Sequence, residues 1–178
     1  MVSAPLSCTV VICAYTDDRW QETLEAVASV QAQQPPPREL FVVVDHNPSL
    51  EARLAEQLPT VRVVANRHER GLSGARNTGV ELSSSDVVVF LDDDAAAQPG
   101  WLAGLARHYV DPDVLGVGGR IDPAWATSRP RWWPPEFDWV VGCSYTGQKP
   151  GVVRNLIGAN ASFRRELFAG GGSLNELR

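Results

Sequence analysis

A chain of 178 residues, 44% of them apolar, can bury the core of one domain without disulfides or a structural metal. Its 16 basic and 21 acidic residues leave a net charge of −5, which argues against a nucleic-acid binder with its basic surface. The longest apolar runs, Val10–Tyr15, Leu40–Val44 and Val87–Leu91, fall far short of the roughly 20 residues of a membrane span.

Met1–Ser7 shows no charged stretch followed by an apolar one, so the expectation is a cytoplasmic protein. Cys8–Ala14 is β-branched and continuously apolar, as in a strand buried on both faces. Asp17 or Asp18 can cap a helix that carries Trp20, Leu24, Val27 and Val30 on one face and ends at Pro35-Pro36-Pro37. Leu40–Val44 reads as a second buried strand. A helix around Leu50–Leu58 follows, with Leu50, Leu54 and Leu58 at i, i+4 and i+8. Val61–Ala65 is a third strand, Ser73–Leu82 a short helix, and Val87–Leu91 a fourth strand that runs into three aspartates. Trp101, Leu102, Leu105 and Tyr109 form one more amphipathic face.

Repeated βαβ units of this length predict a mostly parallel sheet flanked by helices. Ligands of such sheets bind beyond the carboxyl ends of the strands. The unusual polar clusters all lie at such ends: Tyr15–Asp18, Asp45–Asn47, Asn66–Gly71 and Asp92–Asp94. After Asp111 the composition shifts. Four of the six tryptophans, Trp125, Trp132, Trp133 and Trp139, fall among Pro123, Pro130, Pro134 and Pro135 in a long irregular segment. Beyond it, Trp139–Cys143 and Val152–Ile157 read as strands, Phe163–Phe168 as a helix and 170–173 as a loop. The three cysteines, Cys8, Cys13 and Cys143, are odd in number and form no CxxC, so buried thiols are expected.

Asp92-Asp93-Asp94 carries the sharpest chemistry. Three adjacent carboxylates repel, and a divalent cation is the simplest offset. Period two along an extended chain would point Asp92 and Asp94 to one side and Asp93 away. Hard oxygen ligands suit Mg²⁺ or Mn²⁺. Asp45 either accepts hydrogen bonds from a nucleobase and ribose or caps the turn at Asn47-Pro48. Tyr15 offers a ring for stacking a base. In Gly71–Gly79, Ser73 can cap a helix, and the helix N-terminus with Arg76 suits an anion, unless Arg76 sits in an internal ion pair.

Val10–Tyr15, Val42-Val43-Val44-Asp45, Ala75-Arg76-Asn77-Thr78-Gly79 and Phe90-Leu91-Asp92-Asp93-Asp94 together resemble, in order and spacing, the family 2 glycosyltransferases of GT-A fold. The likeness continues through Gly158–Arg165, similar to the family's acceptor-side strand and helix. It implies an α/β GT-A domain with a donor-binding half at 1–111 and a partial acceptor-side region at 112–178. Tyr15 and Asp45 would contact the base of a nucleotide-diphosphate sugar, UDP first among nucleotides, with Ala14, Arg76 and Asp93 also at the donor site. Asp92 would contact ribose or metal, and Asp94 would ligate Mn²⁺ or Mg²⁺. The implied reaction is metal-assisted transfer to an acceptor hydroxyl, in many members with inversion by a carboxylate base.

The family's acidic base motif has no clear counterpart. Gly170–Arg178 resembles the segment that precedes it only loosely, which reads as a C-terminally truncated chain or a base supplied elsewhere. Glu136 and Asp138 are the nominated upstream carboxylates. Trp132, Trp133 and Trp139 fit an acceptor platform, the alternative being a lid over the core. Asn160 is expected to face the acceptor cleft. The acceptor can be a saccharide, a lipid-linked glycan or a small molecule. No nucleic acid is expected, whereas peripheral association with the inner membrane face and a homodimer are compatible with the sequence. A donor-binding module without turnover is the alternative. A nucleotidyltransferase would carry a Gly-rich basic signature where this chain has Tyr15-Thr16-Asp17-Asp18.

Overall fold

The computed structural model describes residues 6–169; the segment Gly170–Arg178 discussed above lies outside the described residues. Six strands form one mixed sheet: β1 (Cys8–Ala14), β2 (Glu39–Val44), β3 (Arg62–Ala65), β4 (Val87–Asp92), β5 (Gly116–Gly118) and β6 (Asn160–Arg164). Their order is β3-β2-β1-β4-β6-β5, with the first four parallel and β6 antiparallel to both β4 and β5. The flanking helices are α1 (Trp20–Gln31), α2 (Pro48–Gln57), α3 (Leu72–Leu82) and α4 (Trp101–Ala106).

Alternation along the apolar strands builds two cores. Val10 and Ile12 of β1, Val42 and Val44 of β2, and Val87, Val89 and Leu91 of β4 face α1, α2 and α4. Val11, Phe41, Val43, Val88 and Phe90 face the other way, onto α3 and Phe163. Burial on both faces explains the unbroken Val/Ile runs. Gly79 lets α3 approach β1, because a Cβ there would stand 2.5 Å from Val11.

The parallel half follows the sequence pattern, with α1 differing at its start. Thr16 accepts from the Asp18 amide in a short 3-10 turn over Asp17–Arg19, and α1 then begins without a side-chain cap. Likewise α3 starts from Gly71, at φ 129°, and Ser73 lies inside the helix instead of capping it. Asn47, not Asp45, caps α2, accepting from the Leu50 amide at 3.1 Å.

The C-terminal half departs further. Trp139–Cys143 is not a strand: Pro134-Pro135 open a 3-10 helix over Pro135–Val141 that ends at a left-handed Gly142. Val152–Ile157 is irregular, and Val152 is fully exposed. The expected helix at Phe163–Phe168 is the end of β6 and a 3-10 turn, Arg165–Phe168. Here two faces compete: Phe163 packs near Phe90 and Phe168, while Ser162 accepts from the buried Tyr109 hydroxyl at 2.8 Å. That alternation is a strand's. Three-residue β5 holds two glycines and leaves almost no pattern. No helix among the described residues is long and apolar enough to cross a membrane.

Arg164 closes this half by donating to the carbonyls of Tyr109, Asp111 and Val114 at 2.8, 2.9 and 2.9 Å. Arg164→Ala leaves three carbonyls without their donor and should lower stability by about 2 kcal/mol, read as a lower urea midpoint. An unchanged midpoint would mean that water replaces the guanidinium at no cost.

Candidate functional site

The strand order reverses between β1 and β4, and a crevice must open where the chain leaves these strands in opposite directions. A cleft of about 280 Å³ lies there, lined by Cys13, Ala14 and Tyr15 from β1 and its end, Arg19, Asp45 beyond β2, Gly71, Leu72 and Ala75 of α3, and Asp92 and Asp93 of β4. The structure therefore gathers Ala14, Tyr15, Asp45, Asp92 and Asp93 from three separate stretches of sequence. Cys13 reaches the cleft as an inert thiol, since burial pushes it up to about 12.

Asp45 organises the loop that closes one wall. Its carboxylate accepts from Asn66 Nδ2 at 2.6 Å and from the Gly71 amide at 2.9 Å, and His46 Nδ1 lies at 2.9 Å. Burial would raise its pKa, but the hydrogen bonds from Asn66, His46 and Gly71 outweigh burial and hold it below the usual value. Three of roughly four lone-pair sites are thus taken, leaving one for a ligand. Asn66 and Thr78 went unnoticed as partners in the sequence. Thr78 donates to Asn66 Oδ1 at 3.1 Å and accepts from the Arg67 amide at 3.0 Å, so the loop hangs from both Asp45 and α3.

β4 ends at Asp92 and the chain turns at Asp93-Asp94, with Asp93 buried between the part-exposed Asp92 and the exposed Asp94. Asp92 pairs with Arg76 at 3.0 Å, whereas Arg19 pairs with both Asp93, at 2.7 Å, and Asp94, at 3.1 Å. Arginines offset the repulsion in this state. Burial lifts the pKa of Asp93 against the pull of Arg19, and its Oδ2 is buried without a hydrogen-bond partner. Arg19 also sits over the Tyr15 ring, 5.7 Å from its centroid. Its sequence signal was faint, one arginine in the turn after Tyr15.

Other expected residues lie elsewhere. Arg76 is not among the cleft-lining residues: it donates to Asp92 and, at 2.8 Å, to the Gly158 carbonyl, the internal ion pair weighed above. Asn160 is buried and does not face an open cleft: its amide oxygen accepts from Trp101 Nε1 at 2.9 Å and its nitrogen donates to the Arg120 carbonyl at 3.0 Å. Asp138 is held bidentately by Arg129, at 2.6 and 2.7 Å, and by Trp133 Nε1 at 3.0 Å. Those bonds, Arg129's first, keep its pKa low, the opposite of a group ready to take a proton. Glu136 is exposed and does not line the cleft. Trp133 sits edge-on to Trp125, Trp132 and Phe137, while Trp132 and Trp139 are 77% and 55% exposed and do not roof the core.

Two carboxylates that reach solvent, Asp92 and Asp94, are hard donors of the kind Mg²⁺ and Mn²⁺ accept. Among the described residues no group of three or more His, Cys, Asp or Glu converges to cage an ion. The donor set thus fits a cation that shares its shell with ligand phosphates and water.

Solved structures place this architecture. The chain superposes on a mannosyltransferase from Pyrobaculum calidifontis, solved with GDP-Man and Mn²⁺, with a TM-score of 0.63 at 24% identity over 96% of this chain and 48% of that one. It superposes on S. aureus TarS, solved with UDP-GlcNAc, with a TM-score of 0.65 at 16% identity over 93% and 47%. The fold is that of GT-A glycosyltransferases. Residues 9–171 match the family described as glycosyl transferase family 2, and the chain belongs to that family. It is 39% identical over 166 residues to glucosyl-dolichyl phosphate glucuronosyltransferase of Haloferax volcanii, covering 90% of this chain and 53% of the relative. It is also 41% identical over 61 residues to pre-mycofactocin glycosyltransferase of Mycobacterium tuberculosis, covering 34% and 13%. The chain thus spans about half the length of the first relative and of the solved structures.

Asn66→Ala removes the donor to Asp45 and the acceptor of the His68 amide, 2.9 Å away. It should cost about 1–3 kcal/mol and speed hydrogen exchange at the Gly71 and His68 amides. Unchanged exchange there would show that the loop keeps its place without Asn66.

Proposed function

We propose that the cleft binds a nucleoside-diphosphate sugar and that the protein transfers the sugar to an acceptor hydroxyl, with inversion. The observation that carries this reading is the meeting of Tyr15, Asp45, Asp92 and Asp93 around one crevice at the switch point, with the exposed Asp94 next along the chain. Tyr15, 55% exposed, offers its ring to the base, and the remaining lone pair of Asp45 accepts from a base N–H or a ribose hydroxyl. The start of α3 lines the cleft through Gly71, Leu72 and Ala75 and would offer its positive end to the anionic part of the donor. Asp92 and Asp94 would hold Mn²⁺ or Mg²⁺, which when bound neutralises charge on the departing diphosphate. UDP is the first nucleotide to try.

Trp132 and Trp139 are proposed as the acceptor side, presenting apolar faces to a sugar ring. The 39% identical relative carries glucosyl-dolichyl phosphate in its name, which supports a lipid-linked acceptor and work at a membrane surface. Of the two nominated bases, Glu136 is the one without the Arg129 clamp. A second reading, donor binding without turnover, draws on one observation: each cleft-lining carboxylate already has a partner, Asn66 and Gly71 for Asp45, Arg76 for Asp92 and Arg19 for Asp93.

Calorimetry with UDP, GDP and dTDP, each with Mn²⁺ and again with EDTA, tests the donor site. One nucleotide should bind, and more tightly with Mn²⁺. Asp94→Ala should abolish the gain from Mn²⁺, and Asp45→Ala should weaken binding with and without it. Failure of all three nucleotides overturns the reading. Donor hydrolysis or transfer then separates an enzyme from a binder.

A further inference from the structure

Three carboxylates stand at the end of β4, and two guanidinium groups neutralise them unequally. Arg76 is committed, since it bridges Asp92 to the Gly158 carbonyl and is only 15% exposed. Arg19 is 38% exposed, lines the cleft and spreads two nitrogens over two aspartates of different character. The Asp93 side chain is 4% exposed and has no partner for its second oxygen, so it needs Arg19 permanently. The Asp94 side chain is 46% exposed and is held at the longer distance, 3.1 Å, so water can replace Arg19 there.

We infer that Arg19 is a resident counter-ion: it holds Asp93 throughout, gives up Asp94 to a divalent cation, and thereby makes cation and nucleoside diphosphate bind interdependently. The inference rests on the proposed reading of the cleft as a donor site. Charge decides the coupling. The triplet with its two arginines carries a net charge of minus one. A divalent cation alone turns that to plus one and leaves Arg19 with a lost partner. A diphosphate arriving with the cation supplies negative charge and a new acceptor for the released guanidinium nitrogen. Arg19 on this account acts twice, by releasing Asp94 to the cation and by donating its freed nitrogen to the diphosphate.

The test is Mn²⁺ affinity, read by the electron paramagnetic resonance signal of free Mn²⁺, with no nucleotide and with saturating UDP, GDP or dTDP. In the natural protein the effective nucleotide should tighten Mn²⁺ by about tenfold or more. In Arg19→Gln, Mn²⁺ alone should bind about tenfold more tightly and the nucleotide should add less. Structural damage would weaken metal binding, so a gain separates the two causes. Arg19→Lys keeps the charge and should keep most of the coupling. If Arg19→Gln does not fold, Arg19→Gln/Asp93→Asn removes the buried charge with its partner, keeps the net charge of minus one and frees Asp94, so Mn²⁺ alone should still bind more tightly than in the natural protein, by less than about tenfold. Folded variants with unchanged or weaker Mn²⁺ binding overturn the role of Arg19 and leave the donor site standing. A natural protein that binds none of the nucleotides with Mn²⁺ overturns the donor reading and this inference together.

Discussion

Strands buried on both faces have no room for unpaired polar groups, and the rest of this protein follows from that constraint. Along β1, β2 and β4 the side chains between the strand ends are almost wholly apolar and buried. Polar chemistry is therefore driven to the two edges of the sheet. At the amino edge it closes on itself: Thr9, Ser83, Ser85 and Glu39 bond to one another, with Thr9 Oγ1 2.7 Å from Glu39 Oε2. At the carboxyl edge it stays open, because the strand order reverses there and the chain leaves β1 and β4 in opposite directions. The same fold thus makes a sealed edge and a reactive one.

Legibility of the sequence follows the same division. The parallel half could be read because its strands and helices carry strong single-period patterns, and its site residues because they interrupt those patterns at strand ends. Tyr15, Asp45 and Asp92–Asp94 are all polar or aromatic residues directly after an apolar run. Arg19 could not be found this way, since its importance lies in two contacts 74 and 75 positions along the chain. Arg76 was visible as a motif residue, but its commitment depends on the Gly158 carbonyl, equally far off in sequence. In the C-terminal half the pattern misleads. Phe163–Phe168 has helix-like composition, yet partnership with β4 on one side and Tyr109 below makes its first part a strand. Tertiary pairing overrides local preference where the segment is short.

Three expected functional side chains, Arg76, Asp138 and Asn160, are each tied to internal partners. Their chemistry was real in the sequence, since guanidinium, carboxylate and amide groups suit a sugar nucleotide. Burial redirects it. A buried polar group must be satisfied, and an internal partner at hydrogen-bond distance meets that need without a ligand. Exposure thus separates the residues available for a ligand from those holding the wall: Tyr15 and Asp94 reach solvent, while Asn160 does not. Asp45 stands between the two groups, holding the 66–71 loop with most of its lone pairs and keeping a remainder for the cleft.

That difference in commitment sets the cleft apart from the irregular region beyond β5. The cleft is built from strand ends, α3 and a loop tied at both ends, so its groups are held before any ligand arrives. Preorganised donors and acceptors cost a ligand little to engage. The region from 119 to 159 is instead irregular apart from one 3-10 helix, and it presents Trp132, Phe137, Trp139 and Tyr145 to solvent. On the proposed reading, aromatic faces on an irregular frame would adapt to an acceptor's shape. A transferase of that kind needs both properties: a fixed seat for the leaving group, whose charge must be met in one place, and an adjustable wall for the acceptor.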